Sequence, residues 1–220
     1  MTPVDRSRAE KGSHPLAAAI LTGGRATRFG GARKAQLRVG GRSIIERQLE
    51  ALSAVANPVY AVSSRDREGE GGLEVVRDRY AQCGALGGIC TAIEASPHDR
   101  VLIVGCDMPF LNSRLIAYMN TLDGDLIIPR GPRGYEPLCA IYSRACAPVI
   151  RARIERGRLE ASVLPEGVRV AEVAEPVVAL YDPLGLVFVN VNTPHDYERA
   201  NTLLEGSNAS QDRIMDELGP

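Results

Sequence analysis

A glycine-rich segment that ends in two cations follows a short apolar run close to the start of the chain. Glycines placed directly after a strand let backbone N–H groups approach phosphate oxygens without obstruction by side chains. Arg28 can clamp phosphates with its planar guanidinium, and Lys34 supplies a compact second cation. We therefore predict a binding site for the phosphates of a nucleotide, formed by Leu21, Thr22, Gly23, Gly24, Arg28 and Lys34.

This segment differs from two common phosphate-binding motifs. A Walker A loop ends in Gly-Lys-Ser/Thr, and a dinucleotide-binding fingerprint has GxGxxG after its first strand; the segment contains neither pattern. The alternative is a tight glycine turn with two exposed basic residues. The order of strand, glycines, arginine and lysine favours phosphate binding.

A carboxylate follows a second apolar run. The run 101–104 is continuously apolar, as expected of a central parallel strand, and Asp107 comes shortly after it. An aspartate at the carboxyl end of such a strand is well placed to hold Mg²⁺ against a triphosphate. Mg²⁺ binds few protein carboxylates and takes its other ligands from phosphate and water. The alternative is an aspartate that only caps a turn.

Another carboxylate, Asp78, follows a further candidate strand. Guanine presents its ring N–H and its amino group along one edge, and a carboxylate can accept a hydrogen bond from each. Asp78 is therefore a candidate for reading the base, with a charged turn residue as the alternative.

Polar residues late in the chain are candidates for binding the acceptor of a transfer reaction. On the predicted strand 187–191, Asn190 and the following Asn192 would point to the same side, where they could hydrogen-bond an acceptor or complete a metal site. Capping of a loop is the alternative. Five arginines between Arg144 and Arg158, against a single acid, would suit an acidic acceptor, and a solvated helix face is the alternative.

The elements that must position these residues alternate along the chain. Apolar, β-branched runs predict strands at 16–21, 58–63, 73–76, 101–104, 126–128, 138–142 and 187–191. Helical spacing predicts one helix that begins at residue 44 with Ser43 as its cap and a second that begins within 84–88. Further helices are predicted over 115–119, 145–154 and 194–204, and a polar loop over 129–136. The alternation predicts one α/β domain, Rossmann-like, with a doubly wound, mostly parallel sheet. Ligands bind such sheets at the carboxyl ends of the strands.

The composition argues against several classes of protein. Aromatic residues make up 5% of the chain and there is no Trp, which argues against a protein that stacks nucleic-acid bases. The net charge of −1 provides no basic field for nucleic acid or an acidic membrane, and no apolar stretch is long enough to span a bilayer. The five cysteines lack CxxC pairs, which favours reduced thiols over disulfides or a zinc site.

The domain is predicted to occupy residues 15–205. Residues 1–14 mix charges of both signs and 206–220 are polar, so both are expected to be flexible tails. No hydrophobic region of signal-peptide length follows the first segment, which predicts a cytoplasmic protein.

The quoted segments resemble signatures of the molybdenum cofactor guanylyltransferases, the MobA-like group within the larger nucleotidyltransferase family. The resemblance is strong from Leu21 to Lys34 and at 105–111 (GCDMPFL), and it implies that Asp107 is the Mg²⁺ ligand. By position, Asp78 resembles the family's guanine-facing aspartate, and 84–88 (GALGG) resembles the loop that places Gly84 at the nucleotide. Segments 130–138 and 190–194 resemble the acceptor-side loops, which implies acceptor contacts by Asn190 and Asn192.

Several positions depart from the family's pattern. Thr22 stands where alanine is usual, and Arg33 replaces an acidic residue that often precedes the lysine. Ser64 lies where the family has an asparagine on the loop after the second strand, which changes one contact with the base or ribose. Gly87 replaces an alanine, and Glu136 replaces a glutamine or histidine.

The resemblance implies a nucleotidyltransferase that moves GMP from GTP to the terminal phosphate of molybdopterin or the molybdenum cofactor and releases pyrophosphate, with Mg²⁺ as cofactor. The catalytic residues it implies are Arg28, Lys34 and Asp107. The alternatives are a CTP-using molybdopterin cytidylyltransferase, a sugar-1-phosphate nucleotidyltransferase, and a non-catalytic nucleotide-binding regulator. Transient contact with other proteins of the cofactor pathway is left open.

Overall fold

The computed structural model describes residues 14–22, 36–64 and 70–205. The strands are β1 (Leu16–Leu21), β2 (Arg38–Val39), β3 (Arg42–Ser43), β4 (Val59–Ser63), β5 (Val75–Arg77), β6 (Arg100–Gly105), β7 (Leu126–Gly131), β8 (Gly134–Tyr135), β9 (Cys139–Ser143) and β10 (Val170–Val173). The helices are α1 (Ile44–Ser53), α2 (Gly84–Ala95), α3 (Ser113–Asn120), α4 (Cys146–Glu155), α5 (Glu175–Tyr181) and α6 (194–205). None of the helices in these ranges has both the length and the apolar character needed to cross a bilayer.

The central sheet has the order β10-β7-β9-β6-β1-β4-β5. β9 runs antiparallel to both of its neighbours, β6 and β7, and every other adjacent pair in this order is parallel. The carboxyl ends of β5, β4, β1, β6 and β7 therefore lie at one edge of the sheet. The predicted α/β fold with a mostly parallel sheet is confirmed.

Helices cover both faces of this sheet. Alternate residues of β1 face opposite ways, so Ala18 and Ile20 pack with α1, α3 and α5, whereas Ala17 and Ala19 pack with α2 and α4. Because both faces are covered, β1 and β6 are buried along almost their whole length, which explains their continuously apolar sequences.

The start of α1 is encoded locally. The Ser43 hydroxyl accepts a hydrogen bond from the Glu46 amide, and the Glu46 carboxylate accepts one from the Ser43 amide, which completes a capping box. The predicted cap at Ser43 is confirmed. It begins a helix whose buried residues are Ile44, Ile45, Gln48 and Leu52. Ile45 and Leu52 pack against β1 and β6, whereas Ile44 packs with Val39 of β2 and with Val191.

The predicted late strand at 187–191 is wrong. The segment forms turns instead, in which the Val189 amide donates to the Leu186 carbonyl and the Val191 amide donates to the Asp107 carbonyl. Val187, Phe188 and Val191 are buried beneath the loops at the edge of the sheet, and this burial accounts for the apolar residues of the segment. Burial without strand pairing produced the same pattern that a strand would produce.

Several other elements differ from the sequence prediction. Residues 129–131 of the predicted loop continue β7, and Gly134–Tyr135 turn back to pair with it as β8. The third predicted strand lies slightly later, at Val75–Arg77. The prediction contained neither β10 nor α5, which are short and mostly exposed on their outer side.

Candidate active site

The described candidate residues form a row along the carboxyl edge of the sheet. Asp78 follows β5, Ser64 follows β4, Thr22 follows β1 and Asp107 follows β6, and these four strands are consecutive neighbours. Adjacent strands are about 4.8 Å apart, so the row from β5 to β6 spans roughly 15 Å. This length suits an extended nucleoside triphosphate. The predicted Gly23, Gly24, Arg28 and Lys34 lie outside the described residues.

Thr22 ends β1 with its side chain turned inward. Its amide and its hydroxyl both donate to the Val62 carbonyl of β4, over 2.9 and 3.2 Å, and the residue is 4% exposed. The hydroxyl that distinguishes Thr22 from the family's alanine is therefore bonded to the sheet. This departure tightens the junction of β1 and β4 and presents no hydroxyl to a ligand.

The turn that carries Asp107 is held from three sides. The amide of Gly105 donates to the Leu138 carbonyl at the start of β9, over 3.0 Å. The carbonyl of Asp107 accepts from the Val191 amide over 2.8 Å. From below, the side-chain amide of Gln48 donates to the carbonyls of Gly105 and Met108, over 2.7 and 3.0 Å.

Gln48 was missed as a site residue, although its position gave a signal. It lies on the buried face of α1, is 0% exposed, and its amide oxygen has no hydrogen-bond partner among the described residues. A glutamine at a position whose helical spacing demands an apolar residue indicates a specific polar partner. Here that partner is the backbone on both sides of Asp107.

The donor set at this turn fits Mg²⁺. Asp107 is half-buried and contributes one hard carboxylate, and no cluster of three His, Cys, Asp or Glu occurs in the described part of the chain. A dedicated all-protein cage is therefore absent there, but Mg²⁺ commonly uses one or two carboxylates with phosphate oxygens and water. The site could hold Mg²⁺ as part of a metal–nucleotide complex.

The turn after β5 is anchored to α2. Asp78 Oδ1 accepts from the Thr91 hydroxyl over 2.9 Å and from the Tyr80 amide over 2.9 Å. The same Thr91 oxygen accepts from the Arg79 amide over 3.0 Å. Oδ1 of Asp78 is thus hydrogen-bonded to its own turn and to α2, and only Oδ2 remains for a ligand.

Hydrogen bonds to Glu94 also hold this turn against α2. Glu94 on α2 accepts from Tyr80, Arg79 and Arg151, and its side chain is 11% exposed. Burial acts to raise the pKa of Glu94, but the hydrogen bonds from Arg151 and Tyr80 outweigh it, so the pKa is lowered. Burial, together with the hydrogen bond to Glu94, raises the pKa of Tyr80. The turn is therefore fixed to α2 and α4 by a charged network.

Glycines allow the close approach of α2. A Cβ on Gly87 would lie 2.4 Å from the Tyr80 carbonyl oxygen, so an alanine there would collide with the backbone. Gly84 begins the helix with φ +61, a left-handed conformation that favours glycine. Gly87, which stands where the family has alanine, therefore allows the turn that carries Asp78 to pack directly against α2.

A cleft of about 230 Å³ opens beyond Asp107, at the carboxyl end of β7. Its walls come from the β7–β9 connection, from the turns that precede α6, and from α6 itself. The lining residues are Pro132, Arg133, Glu136, Gly185, Phe188, Val189, Asn190, Asp196 and Arg199. The two segments that were predicted to bind the acceptor are therefore brought together.

The two predicted asparagines do not point to the same side of a strand, because no strand forms there. Asn190 lines the cleft, and its side-chain amide donates to the Phe188 carbonyl over 3.4 Å. Asn192 does not line it; its backbone amide donates to the Asp196 carboxylate at the start of α6. Asn190 remains a candidate for acceptor contact, whereas Asn192 belongs to the cap of α6.

Glu136 is half-buried at the base of the cleft, and its carboxylate makes no hydrogen bond with any described residue, although its backbone bonds to Pro129 and Cys139. Its Oε1 lies 2.9 Å from the position that a Cβ on Gly131 would occupy, so the carboxylate uses the space left by this glycine. Burial raises the pKa of Glu136; the charge of Arg133 opposes this effect and the charge of Asp107 adds to it.

Most arginines of the predicted basic stretch 144–158 make contacts within the fold. Arg144 donates to the carbonyls of Ser96 and His98, and Arg151 pairs with Glu94. Arg153 donates to carbonyls at 160 and 163. These three arginines therefore have structural roles, and none of the five lines the cleft, which favours the alternative of a helix face outside the acceptor site.

Comparison with known proteins identifies related sequences. A family model described as the MobA-like NTP transferase domain matches residues 18–172. The chain is 31% identical over 198 residues to a molybdenum cofactor guanylyltransferase of Desulfosudis oleivorans, with 87% of this chain and 96% of that protein covered. It is 34% identical over 191 residues to a probable molybdenum cofactor guanylyltransferase of Pelotomaculum thermopropionicum, with coverages of 86% and 93%.

Solved structures share the fold. Molybdopterin-guanine dinucleotide biosynthesis protein A of Archaeoglobus fulgidus superimposes with a TM-score of 0.73 at 24% identity, covering 86% of this chain and 99% of that one. The 2-C-methyl-D-erythritol 4-phosphate cytidylyltransferase of Thermus thermophilus superimposes with a TM-score of 0.60 at 17% identity, with coverages of 85% and 98%. At these identities the likeness concerns architecture alone.

Proposed function

The chain belongs to the MobA-like NTP transferase family, and on that basis we propose that it transfers the GMP moiety of GTP to the terminal phosphate of molybdopterin or the molybdenum cofactor, releasing pyrophosphate. The observation that carries this proposal is the row of Asp78, Ser64, Thr22 and Asp107, followed by the cleft at Glu136. It offers a place for a base, a triphosphate, a metal and an acceptor in that order.

In the proposed reaction the candidate residues bind different parts of the nucleotide. Asp78 and Ser64 hold the base, with Gly84 at the start of α2 close by. The backbone N–H groups of Gly23 and Gly24 would receive the phosphates, and Leu21 and Thr22 would fix the start of this segment, since the Thr22 amide is bonded to Val62. Arg28 and Lys34 neutralise the departing pyrophosphate. Asp107 would hold Mg²⁺, which supplies charge neutralisation on the triphosphate.

The acceptor phosphate attacks the α-phosphorus in line, from the side of the cleft. This phosphate is already ionised at neutral pH, so the protein needs no general base. Catalysis then consists of alignment and stabilisation of charge. Asn190, which lines the cleft, would orient the acceptor, and Asn192 would act indirectly through the cap of α6.

The choice of base depends on Asp78. A carboxylate with both oxygens free would match the two donors of guanine, but Oδ1 of Asp78 is already used by Thr91 and Tyr80. Oδ2 can accept from the ring N–H or from the amino group of guanine, and the other donor would be left for Ser64 or for the backbone. A cytosine amino group would also satisfy Oδ2, which makes CTP the alternative substrate.

The remaining proposals concern the setting of the reaction. Residues 15–205 would form the transferase domain, with 1–14 and 206–220 as flanking segments. A cytoplasmic location would suit the proposed substrates, and the net charge of −1 supports partners that are small molecules over nucleic acid or membrane surfaces. Transient contact with other proteins of the cofactor pathway would deliver the acceptor.

The test is release of pyrophosphate with Mg²⁺ and GTP, CTP, ATP or UTP, in the presence of molybdopterin or the loaded cofactor. Turnover with GTP that is lost in Asp107→Asn would support the proposal. Asp99→Asn is the matched control, because Asp99 is exposed at the opposite end of β6, roughly 20 Å away along the strand. Preference for CTP would overturn the base assignment, and turnover with sugar phosphates alone would overturn the acceptor assignment.

A further inference from the structure

Two exposed arginines line the acceptor cleft. Arg133 follows β7, Arg199 lies on α6, and both are exposed. Neither makes a hydrogen bond or an ion pair with any residue that the structure describes. Arg130 near the end of β7 is used differently, since it pairs with Glu172. Two free guanidinium groups on one cleft indicate an anionic ligand.

Neither acid of the cleft forms an ion pair with Arg133 or Arg199. The Asp196 Oδ2 accepts from the amides of Asn192 and Thr193, over 3.0 and 2.8 Å, so Asp196 serves the cap of α6. Glu136 lies deeper, against Gly131 on β7, where burial disfavours its charge. The N–H donors of both guanidinium groups are therefore not occupied by these two acids.

The cleft is separate from the place of the reacting phosphate. Asp107 follows β6, whereas the Arg133 turn follows β7, and β9 lies between these strands. Two strand spacings amount to about 10 Å. An acceptor whose phosphate meets the nucleotide at Asp107 would therefore extend its other end into the cleft.

We propose that Arg133 and Arg199 together bind a second anionic group of the acceptor, distinct from the phosphate that reacts, and so determine which acceptors are used. This inference rests on the proposed function. Arg199 lies outside the matched range 18–172, so α6 would add an acceptor contact that the matched domain does not contain. On molybdopterin the second anionic group would be the pair of sulfur atoms or the oxygens of a metal bound to them.

The test uses the full chain with Arg133→Gln, Arg199→Gln and the double variant. Acceptor binding is measured directly by pterin fluorescence, and initial rates are measured with GTP saturating and the acceptor varied. We expect each single variant to raise the Kd and the KM for the acceptor roughly tenfold, by loss of a charge-assisted hydrogen bond. The KM for GTP should stay within about twofold, and Arg199→Lys should recover part of the loss because it keeps the charge.

The control is Arg114→Gln, since Arg114 is an exposed arginine on α3 that does not line the cleft. It should leave both constants unchanged. The metal-free and metal-loaded acceptors distinguish the two sources of charge: equal losses assign the sulfur atoms, and a loss confined to the loaded form assigns the metal's oxygens.

Two results would overturn the inference. One is wild-type acceptor binding by both single variants and the double variant; the other is an equal rise of the KM for GTP, which would indicate general damage. If the wild-type chain itself bound no molybdopterin, the proposed function would fail first, and the inference with it. If CTP replaced GTP while the variants still lost the acceptor, the inference would stand.

Discussion

Replacement of Gln48 by leucine should weaken both the fold and the metal site, because Gln48 joins α1 to the turn that carries Asp107. The side chain is 0% exposed and donates to the carbonyls of Gly105 and Met108 over 2.7 and 3.0 Å. Leucine has a similar volume and has no donor. The substitution therefore removes the two hydrogen bonds while leaving most of the packing in place.

The size of the stability loss depends on the two carbonyls that lose the Gln48 donor. A buried carbonyl that loses its donor costs about 1–3 kcal/mol. The Met108 carbonyl loses its donor, whereas the Gly105 carbonyl keeps a long bond of 3.4 Å from the Met108 amide. Removal of the Gln48 amide oxygen, which has no partner among the described residues, offsets part of the loss. We expect the free energy of unfolding to fall by about 1–3 kcal/mol.

Urea unfolding of the nucleotide-free protein measures this loss, and Mg²⁺ titration of pyrophosphate release measures the effect on the site. Because the turn would lose its support from α1, the concentration of Mg²⁺ needed for half-maximal rate should rise roughly tenfold. Gln48→Glu should be more harmful than leucine, since it buries a carboxylate that cannot donate when ionised. An unfolding free energy within about 0.5 kcal/mol of wild type, with unchanged Mg²⁺ dependence, would refute the reasoning.

Three further predictions concern the turn that carries Asp78. Thr91→Val should lower the free energy of unfolding by about 1–3 kcal/mol and raise the KM for the nucleotide, because Asp78 loses its hydroxyl donor. Thr91→Ser keeps the hydroxyl and should keep this KM near wild type, while the loss of its buried methyl group costs about 1 kcal/mol in stability. Gly87→Ala should cost about 1–3 kcal/mol in urea unfolding, because its Cβ would lie 2.4 Å from the Tyr80 carbonyl. Gly88→Ala should cost less, because its Cβ would meet only the flexible end of Leu21 at 3.1 Å; equal costs would contradict the steric reasoning. The lowered pKa of Glu94 means that its stabilising effect is present above the ordinary glutamate pKa and is lost as pH falls through the lowered pKa. The stability difference between wild type and Glu94→Gln should therefore be larger at neutral pH than near about pH 4 in urea unfolding, and a constant difference would contradict the role of this charge.

Local patterns predicted most elements of the fold. The apolar runs of β1 and β6 follow from burial on both faces, and the capping box of Ser43 and Glu46 begins α1 without help from distant residues. Such features depend on neighbours within a few positions, so they can be read from the chain. The prediction failed at 187–191, where burial under the loops at the sheet edge produced a strand-like pattern.

Pairing could not be read in the same way. β10 is a short segment whose strand character depends on its contact with β7, and the antiparallel direction of β9 depends on the path of the chain around the sheet. Hydrophobic pattern reports burial and period but carries no information on which strands are neighbours or on their direction. The sheet order was therefore absent from the prediction, although the fold class was correct.

For the function, the sequence alone determined the types of residue available: glycines and cations after one strand, and Asp78 and Asp107 after two others. The order of the strands decided which of these residues are neighbours, since it places Asp78, Ser64, Thr22 and Asp107 in one row at the edge of the sheet. The tertiary structure alone brought Gln48 against the turn that carries Asp107 and placed Arg133 and Arg199 on one cleft. These contacts join residues that are more than fifty positions apart, and no local pattern encodes them because they form only when separate strands and helices pack together.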